Sequence, residues 1–188
     1  MEYTIGQISK ITGLSEYTIR FYEKEKLIPN IKRNKNGIRI FSEEDLNWVN
    51  IVKCFRDTNM SIDDIKNVDM LILPGGMPGA TNLRDDSRVI NLIKNLLENN
   101  KKVAAICAAP IVLEKASVID GECVTSYPGF ENELKGANYK EDLVVVSGNI
   151  ITSRGPATAL EFAYTILKEL GSDKAEILRE EMLYNLLK

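Results

Sequence analysis

Lys102-Val-Ala-Ala-Ile-Cys107-Ala-Ala-Pro110 is an apolar run that ends on one thiol and gives way to small residues and a proline. Residues 102–106 are too few and too apolar for an independent helix, whereas Ala108 onward, with Pro110 near the first turn, suits a helix start. The pattern predicts a strand that stops at Cys107 and an elbow into a helix. Such an elbow holds its central side chain out of the sheet, above the first amides of the helix, where a thiolate is stabilised. The competing reading is a small buried hydrophobe, the usual fate of a cysteine outside a disulfide. The local pattern leaves both open.

Upstream of the elbow, Val68-Asp-Met-Leu-Ile-Leu-Pro74 reads as a short apolar strand, and Gly75-Gly76-Met-Pro-Gly79-Ala80 as a flexible loop whose amides can approach a ligand closely. A capped helix is predicted from 85 or 86 to 98, with Val89, Leu92, Ile93, Leu96 and Leu97 on its apolar face. Strand, helix, strand, elbow and helix in that order imply a parallel sheet, and sites in such sheets lie beyond the carboxyl ends of the strands. Gly75, Gly76 and Cys107 therefore fall at one edge. Downstream, Glu122-Cys-Val-Thr125 reads as a strand, and Leu143-Val-Val-Val146 pairs with Asn149-Ile-Ile-Thr152 across Ser147-Gly148. A helix over 156–170 stops at Gly171, and a last helix runs from about 173 to the end.

The first 66 residues follow another period. Thr4-Ile-Gly-Gln7 is a capping box, and the helix it opens should end at Gly13. Ser15 caps a second helix through Lys24, so two short helices meet at a glycine-containing turn, the signature of a helix-turn-helix. Asn36-Gly37 marks a hairpin whose arms carry Lys32, Arg33, Lys35 and Arg39, a basic wing suited to phosphates. Ser42-Glu-Glu-Asp45 caps a further helix with a core stripe of Leu46, Val49, Val52 and Cys54 or Phe55, and Ser61-Ile-Asp-Asp64 caps one more turn.

A length of 188 residues with 44% hydrophobic content fits one or two domains with a proper core. No apolar segment approaches the roughly 20 residues of a membrane span, and the first residues carry neither a basic region nor an apolar signal core, so no membrane partner and a cytoplasmic location are expected. The three cysteines lie far apart without CxxC spacing, and the chain contains no histidine. A disulfide framework, a Cys-His dyad, a Ser-His-Asp triad and imidazole metal sites are excluded, and neither a metal nor a cofactor is expected. The net charge of −3 averages 11 Lys+Arg against 10 Asp+Glu in residues 1–66 and 13 against 17 in the remainder.

Two resemblances emerge from these motifs. Thr4-Ile-Gly-Gln-Ile-Ser-Lys-Ile-Thr-Gly13, Thr18-Ile-Arg-Phe-Tyr-Glu23, Lys26-Leu-Ile-Pro29, and Asn36-Gly-Ile-Arg39 through Phe41-Ser-Glu-Glu-Asp-Leu46 resemble the DNA-binding domain of MerR-family transcriptional regulators. That resemblance implies DNA contacts from Tyr17, Thr18, Arg20 and Tyr22 on the second helix and from Arg33, Lys35 and Arg39 on the wing. Leu71-Ile-Leu-Pro-Gly-Gly76, Ala104-Ala-Ile-Cys-Ala-Ala-Pro110, Thr125-Ser-Tyr-Pro128 and Thr152-Ser-Arg-Gly-Pro156 resemble the ThiJ/PfpI family, close to its Parkinson disease protein 7 branch. This second resemblance implies a reactive, oxidisable Cys107, with the Gly75 and Ala108 amides as an oxyanion site beside Gly76. It also implies a protonated glutamate and often a histidine near the cysteine. The segment that supplies the glutamate is replaced here, and Tyr127 stands at the histidine position.

The expected fold class is two domains: a mainly α winged helix-turn-helix over 1–66, then an incomplete α/β flavodoxin-like (class I glutamine amidotransferase-like) parallel-sheet domain over 68–188. The leading functional expectation is a MerR-type regulator of double-stranded DNA, forming a homo-oligomer, with a module that senses small oxidants or electrophiles through Cys107. The alternative is a cysteine-dependent enzyme of the glyoxalase or deglycase kind acting on small carbonyl compounds. A third reading is a fusion of two truncated proteins whose open sheet edge invites self-association.

Overall fold

A computed structural model describes residues 1–29 and 31–187; Asn30, at the head of the hairpin segment, and Lys188, the end of the expected last helix, lie outside the described residues. Two compact units follow one another along the chain, Met1–Val68 and a second from Asp69 onward.

In the first unit, local capping chemistry writes the helix boundaries. Helix α1 (Ile5–Thr12) opens on the Thr4–Gln7 capping box and closes on Gly13, which takes the left-handed φ of 73°. Helix α2 (Glu16–Lys24) starts at Ser15, whose hydroxyl accepts the Thr18 amide at 3.0 Å. The hairpin of β1 (Lys32–Arg33) and β2 (Arg39–Ile40) is antiparallel, and α3 (Glu43–Asp57) and α4 (Ile62–Lys66) each begin with a capping box. Ile8, Ile19, Phe41, Val49 and Val52 are buried together with Trp48 and Ile51.

Two expected placements fail in this unit. Tyr22, expected to face outward, is 5% exposed, and burial pushes its phenol pKa up. Cys54, expected in the core, is exposed, because Trp48, Ile51 and Val52 occupy the inward stripe of α3.

The second unit is built on a four-stranded sheet in the order β3 (Met70–Leu73), β4 (Lys102–Ile106), β8 (Ile150–Ser153), β7 (Val144–Ser147). The first three strands are parallel, and β7 pairs antiparallel with β8 through the turn at Gly148. Between β3 and β4 lie α5 (Gly79–Asp85) and α6 (Ser87–Glu98), the latter capped by Asp86. The loop expected as far as Ala80 therefore ends at Pro78. After β4 come α7 (Pro110–Lys115), then the short parallel pair β5 (Cys123–Val124) and β6 (Asn138–Tyr139). Helices α8 (Ala159–Glu169) and α9 (Lys174–Glu181) close the unit.

Alternation along the strands decides which helix covers which face. Ala104 and Ile151 pack against Phe162 and Ile166 of α8, with Met70, Ile106 and Val144 at the margin. Val103 and Ala105 point to the opposite face and are fully buried. At the far end, Arg179 of α9 is 9% exposed; it pairs with Glu161 and lies 4.8 Å from the Tyr164 ring and 5.5 Å from the Tyr184 ring. This tethers α9 to α8.

Candidate functional site

Three parallel strands deliver their carboxyl ends to one edge of the second unit, and Cys107 sits at the middle one. Its N–H donates to the Ser153 carbonyl at 2.9 Å, extending the β4–β8 ladder one residue past the strand. The chain then turns at Cys107 itself, with φ at 64°. A non-glycine residue held in that left-handed region costs about 1–3 kcal/mol, so its surroundings must impose it. They do so from two sides: the Tyr127 N–H donates to the Cys107 carbonyl at 2.9 Å, and the Ala109 N–H closes the turn on the Ile106 carbonyl at 3.1 Å. Pro110 then opens α7 at a position that needs no amide hydrogen.

The end of β3 presses on this elbow. A Cβ at Gly75 would lie 2.5 Å from the Cys107 Cβ, 2.6 Å from the Ile106 carbonyl oxygen and 3.4 Å from the Ala108 nitrogen. Only a glycine fits there. Gly76 next to it has φ at 90°, again a glycine conformation, and is exposed. Among the described residues, neither the Gly75 nor the Ala108 N–H donates to a protein acceptor. Two amide donors thus lie beside a half-buried thiol. Among the described residues no hydrogen bond reaches the Cys107 sulfur, and no cluster of acidic or cysteine side chains is arranged to hold a metal ion.

Tyr127 forms the open side. Its ring packs over Gly155, where a Cβ would lie 3.1 Å from Cδ2, and it is 46% exposed. The strand beneath is tied to β8 by the Thr125 N–H donating to Thr152 Oγ1 at 2.9 Å. Ser153 and Gly155, the direct neighbours of the elbow and of Tyr127, were legible only as part of the Thr152-Ser-Arg-Gly-Pro156 motif. An open cavity of about 310 Å³ lies elsewhere, between β7 and α8, lined by Asp142, Leu143, Val144, Val146, Glu161 and Thr165. It includes none of the elbow residues.

The residues expected to contact DNA are placed as follows. Tyr17 is exposed, Thr18 is bonded to Ser15 through its hydroxyl, and Arg20 pairs with Glu16 at 2.7 Å. Arg33 donates to the Gly37 carbonyl at 3.0 Å and Arg39 pairs with Glu23 at 2.6 Å, while Lys35 is exposed at the hairpin tip. Tyr22 is in the core.

A model of the DJ-1/PfpI family matches residues 18–169. Protein dj-1beta of Drosophila melanogaster is 36% identical over 170 residues, covering 86% of this chain and 90% of that protein. The crystal structure of the Drosophila protein superposes with a TM-score of 0.61 at 34% identity, over 79% of this chain and 74% of its own. Protein DJ-1 homolog B of Arabidopsis thaliana is 36% identical over 182 residues, which are 89% of this chain but 42% of that longer protein. An uncharacterized HTH-type transcriptional regulator of Haemophilus influenzae is 44% identical over 66 residues, 35% of this chain and 49% of that protein.

These extents correct two expectations. The family match does not begin at residue 68 but takes in α2, the hairpin, α3 and α4, so the DJ-1/PfpI flavodoxin-like α/β class spans nearly the whole chain. The class of a winged helix-turn-helix followed by an incomplete flavodoxin-like domain is withdrawn. The MerR-type regulator, with DNA as its partner, falls with it, because the family match spans the chain whereas the regulator-like stretch covers too little of either protein to set the family. Among the described residues no helix is long and apolar enough to cross a membrane.

Proposed function

Because the chain belongs to the DJ-1/PfpI family, we propose that it is a cysteine-dependent enzyme of small carbonyl compounds, with Cys107 adding to the aldehyde carbon of a 2-oxoaldehyde. The observation that carries this reading is the contact of Gly75 with the Cys107 elbow, which sets two unclaimed amides beside the thiol. The thiolate forms a bond to the aldehyde carbon, and the carbonyl π pair moves onto oxygen, where the Gly75 and Ala108 N–H groups receive it. The hydrogen on that carbon leaves as a proton and a proton returns to the neighbouring carbonyl carbon, converting the hemithioacetal into a thioester. Water cleaves the thioester, restores the thiol and releases a 2-hydroxy acid.

No carboxylate among the described residues bonds to Cys107 to assist these proton transfers. General acid–base help contributes about 10²–10⁴-fold, so turnover should be slow. Tyr127 supplies the apolar wall of the open side. The division into compact units after Val68 supports a domain boundary close to the expected one, with the unit from Asp69 onward carrying the site. Strand β3 pairs on one side only and leaves Ile72 50% exposed, which supports a homo-oligomer; a sizing measurement that returns the mass of one chain removes that part. The enzyme reading is tested by methylglyoxal consumption in wild type and in Cys107→Ala, where equal rates overturn it.

A further inference from the structure

Arg154 lies between two residues that touch the elbow. Ser153 accepts the Cys107 N–H at 2.9 Å, Gly155 seats the Tyr127 ring, and the Tyr127 N–H returns to the Cys107 carbonyl at 2.9 Å. In the β4–β8 register Ile106 stands opposite Ser153, so Arg154 is the next residue across from Cys107. Alternation fixes its side. The Ser153 hydroxyl turns to the Leu143 carbonyl and Thr158, whereas Thr152 Oγ1 receives the Thr125 N–H. Arg154 is one residue past β8, and its N–H donates to the Leu143 carbonyl at 3.1 Å, which carries the β7–β8 pairing one step further and puts Arg154 on the face of Thr152, where the segment leading to Tyr127 lies.

Arg154 is half-buried as a residue, and its Nη1 donates to the Glu141 carbonyl at 2.8 Å. The facing acid is Glu131, whose carboxylate receives the Gly129 N–H at 2.8 and 3.0 Å; those backbone bonds first, and the Arg154 charge after them, hold its pKa below the ordinary range. Arg84 of α5 is spent differently: it grips Asp85 at 2.8 and 3.2 Å and faces Glu133 at 3.9 Å. A planar fork with one anchored nitrogen and others open is suited to a carboxylate.

We propose that Arg154 binds a carboxylate carried by the substrate, so that the site prefers 2-oxoaldehydes with a carboxylate tail to neutral ones. This rests on the reading of Cys107 as the carbonyl-adding thiol. For 4,5-dioxopentanoate the sequence of steps above, with one water consumed, yields 2-hydroxyglutarate.

The test separates charge recognition from turnover. The full chain is alkylated with iodoacetate and with iodoacetamide, reagents that differ in charge, and modification of Cys107 is followed by peptide mass spectrometry. The iodoacetate-to-iodoacetamide rate ratio should fall on the order of tenfold in Arg154→Gln, and raised salt should lower the wild-type ratio towards that of the variant. With 4,5-dioxopentanoate, KM should rise on the order of tenfold in Arg154→Gln while kcat changes less than about twofold. An alkylation ratio equal in wild type and Arg154→Gln overturns the inference even if Cys107-dependent turnover is seen. A ratio that falls as expected, with no Cys107-dependent turnover of either carbonyl compound, supports the anion site and removes the enzyme reading alone.

Discussion

Replacing Gly75 by Ala probes the contact on which the site is built. The added methyl would sit 2.5 Å from the Cys107 Cβ and 2.6 Å from the Ile106 carbonyl oxygen, both far inside van der Waals contact. Neither neighbour is the free end of a flexible side chain. The Ile106 oxygen accepts the Ala109 N–H, and the Cys107 backbone is tied to Ser153 and Tyr127. Gly75 is not among the residues of positive φ, so backbone conformation adds nothing and the effect is steric. Forcing one methyl into such a place costs about 1–3 kcal/mol. For a chain of this size that corresponds to a fall of roughly 2–12 °C in melting temperature. Thermal melting by circular dichroism reads the stability, and iodoacetamide alkylation of Cys107 reads the displacement of the elbow. Gly79→Ala is the control, because a Cβ there meets nothing within 4 Å and Gly79 opens a helix. A Gly75→Ala protein that melts within about 1 °C of wild type and alkylates at the same rate would refute the packing argument.

Three further predictions follow from particular residues. Because Cys107 is held at φ 64°, Cys107→Gly should be at least as stable as Cys107→Ala in urea, reversing the usual order in which glycine loses about 0.5–1 kcal/mol to alanine; a clear deficit for the glycine variant contradicts the strained elbow. Burial first, with Asp120 adding to it, pushes the Glu114 pKa up against the pull of Lys135. A raised folded-state pKa means stability that is present at low pH and lost as pH rises through the folded value, so Glu114→Gln should be more stable than wild type at neutral pH, with the curves converging in acid below the usual carboxylate range; a constant gap at every pH counts against it. Arg179→Ala takes the buried guanidinium away from Glu161 and from the Tyr164 and Tyr184 rings, and should destabilise by about 2–4 kcal/mol; Glu161→Leu together with Arg179→Met should recover most of that in urea unfolding, and a double variant as unstable as the single one contradicts the assignment.

What the sequence disclosed was local. The boundaries at Thr4, Ser15, Ser42 and Ser61 are legible because a cap is a bond between residues three apart, written within one turn of chain. The elbow is legible because five residues of strand run into Ala108, Ala109 and a helix-opening proline. The left-handed φ of Cys107 itself is not, since it is imposed by Ser153 and Tyr127 from distant segments. The same limit explains the misplaced side chains. A helical period offers Phe21 and Tyr22, or Cys54 and Phe55, almost equally to the core, and only tertiary packing buries Tyr22 and leaves Cys54 outside. Helix α5 was missed because Pro78-Gly79-Ala80 carries loop-forming residues into its first turn. The start of the family match at residue 18 is hidden because strong caps and a hairpin dominate the first 66 residues, whereas the motifs that mark the family all lie from Leu71 onward.

The most direct test of the central claim is the formation of lactate from methylglyoxal by the full chain, compared with Cys107→Ala and Cys107→Ser. The account predicts slow production that is lost in both variants, with deuterium appearing at carbon 2 of lactate when the reaction is run in deuterium oxide. Lactate formed at equal rates by all three proteins would contradict it.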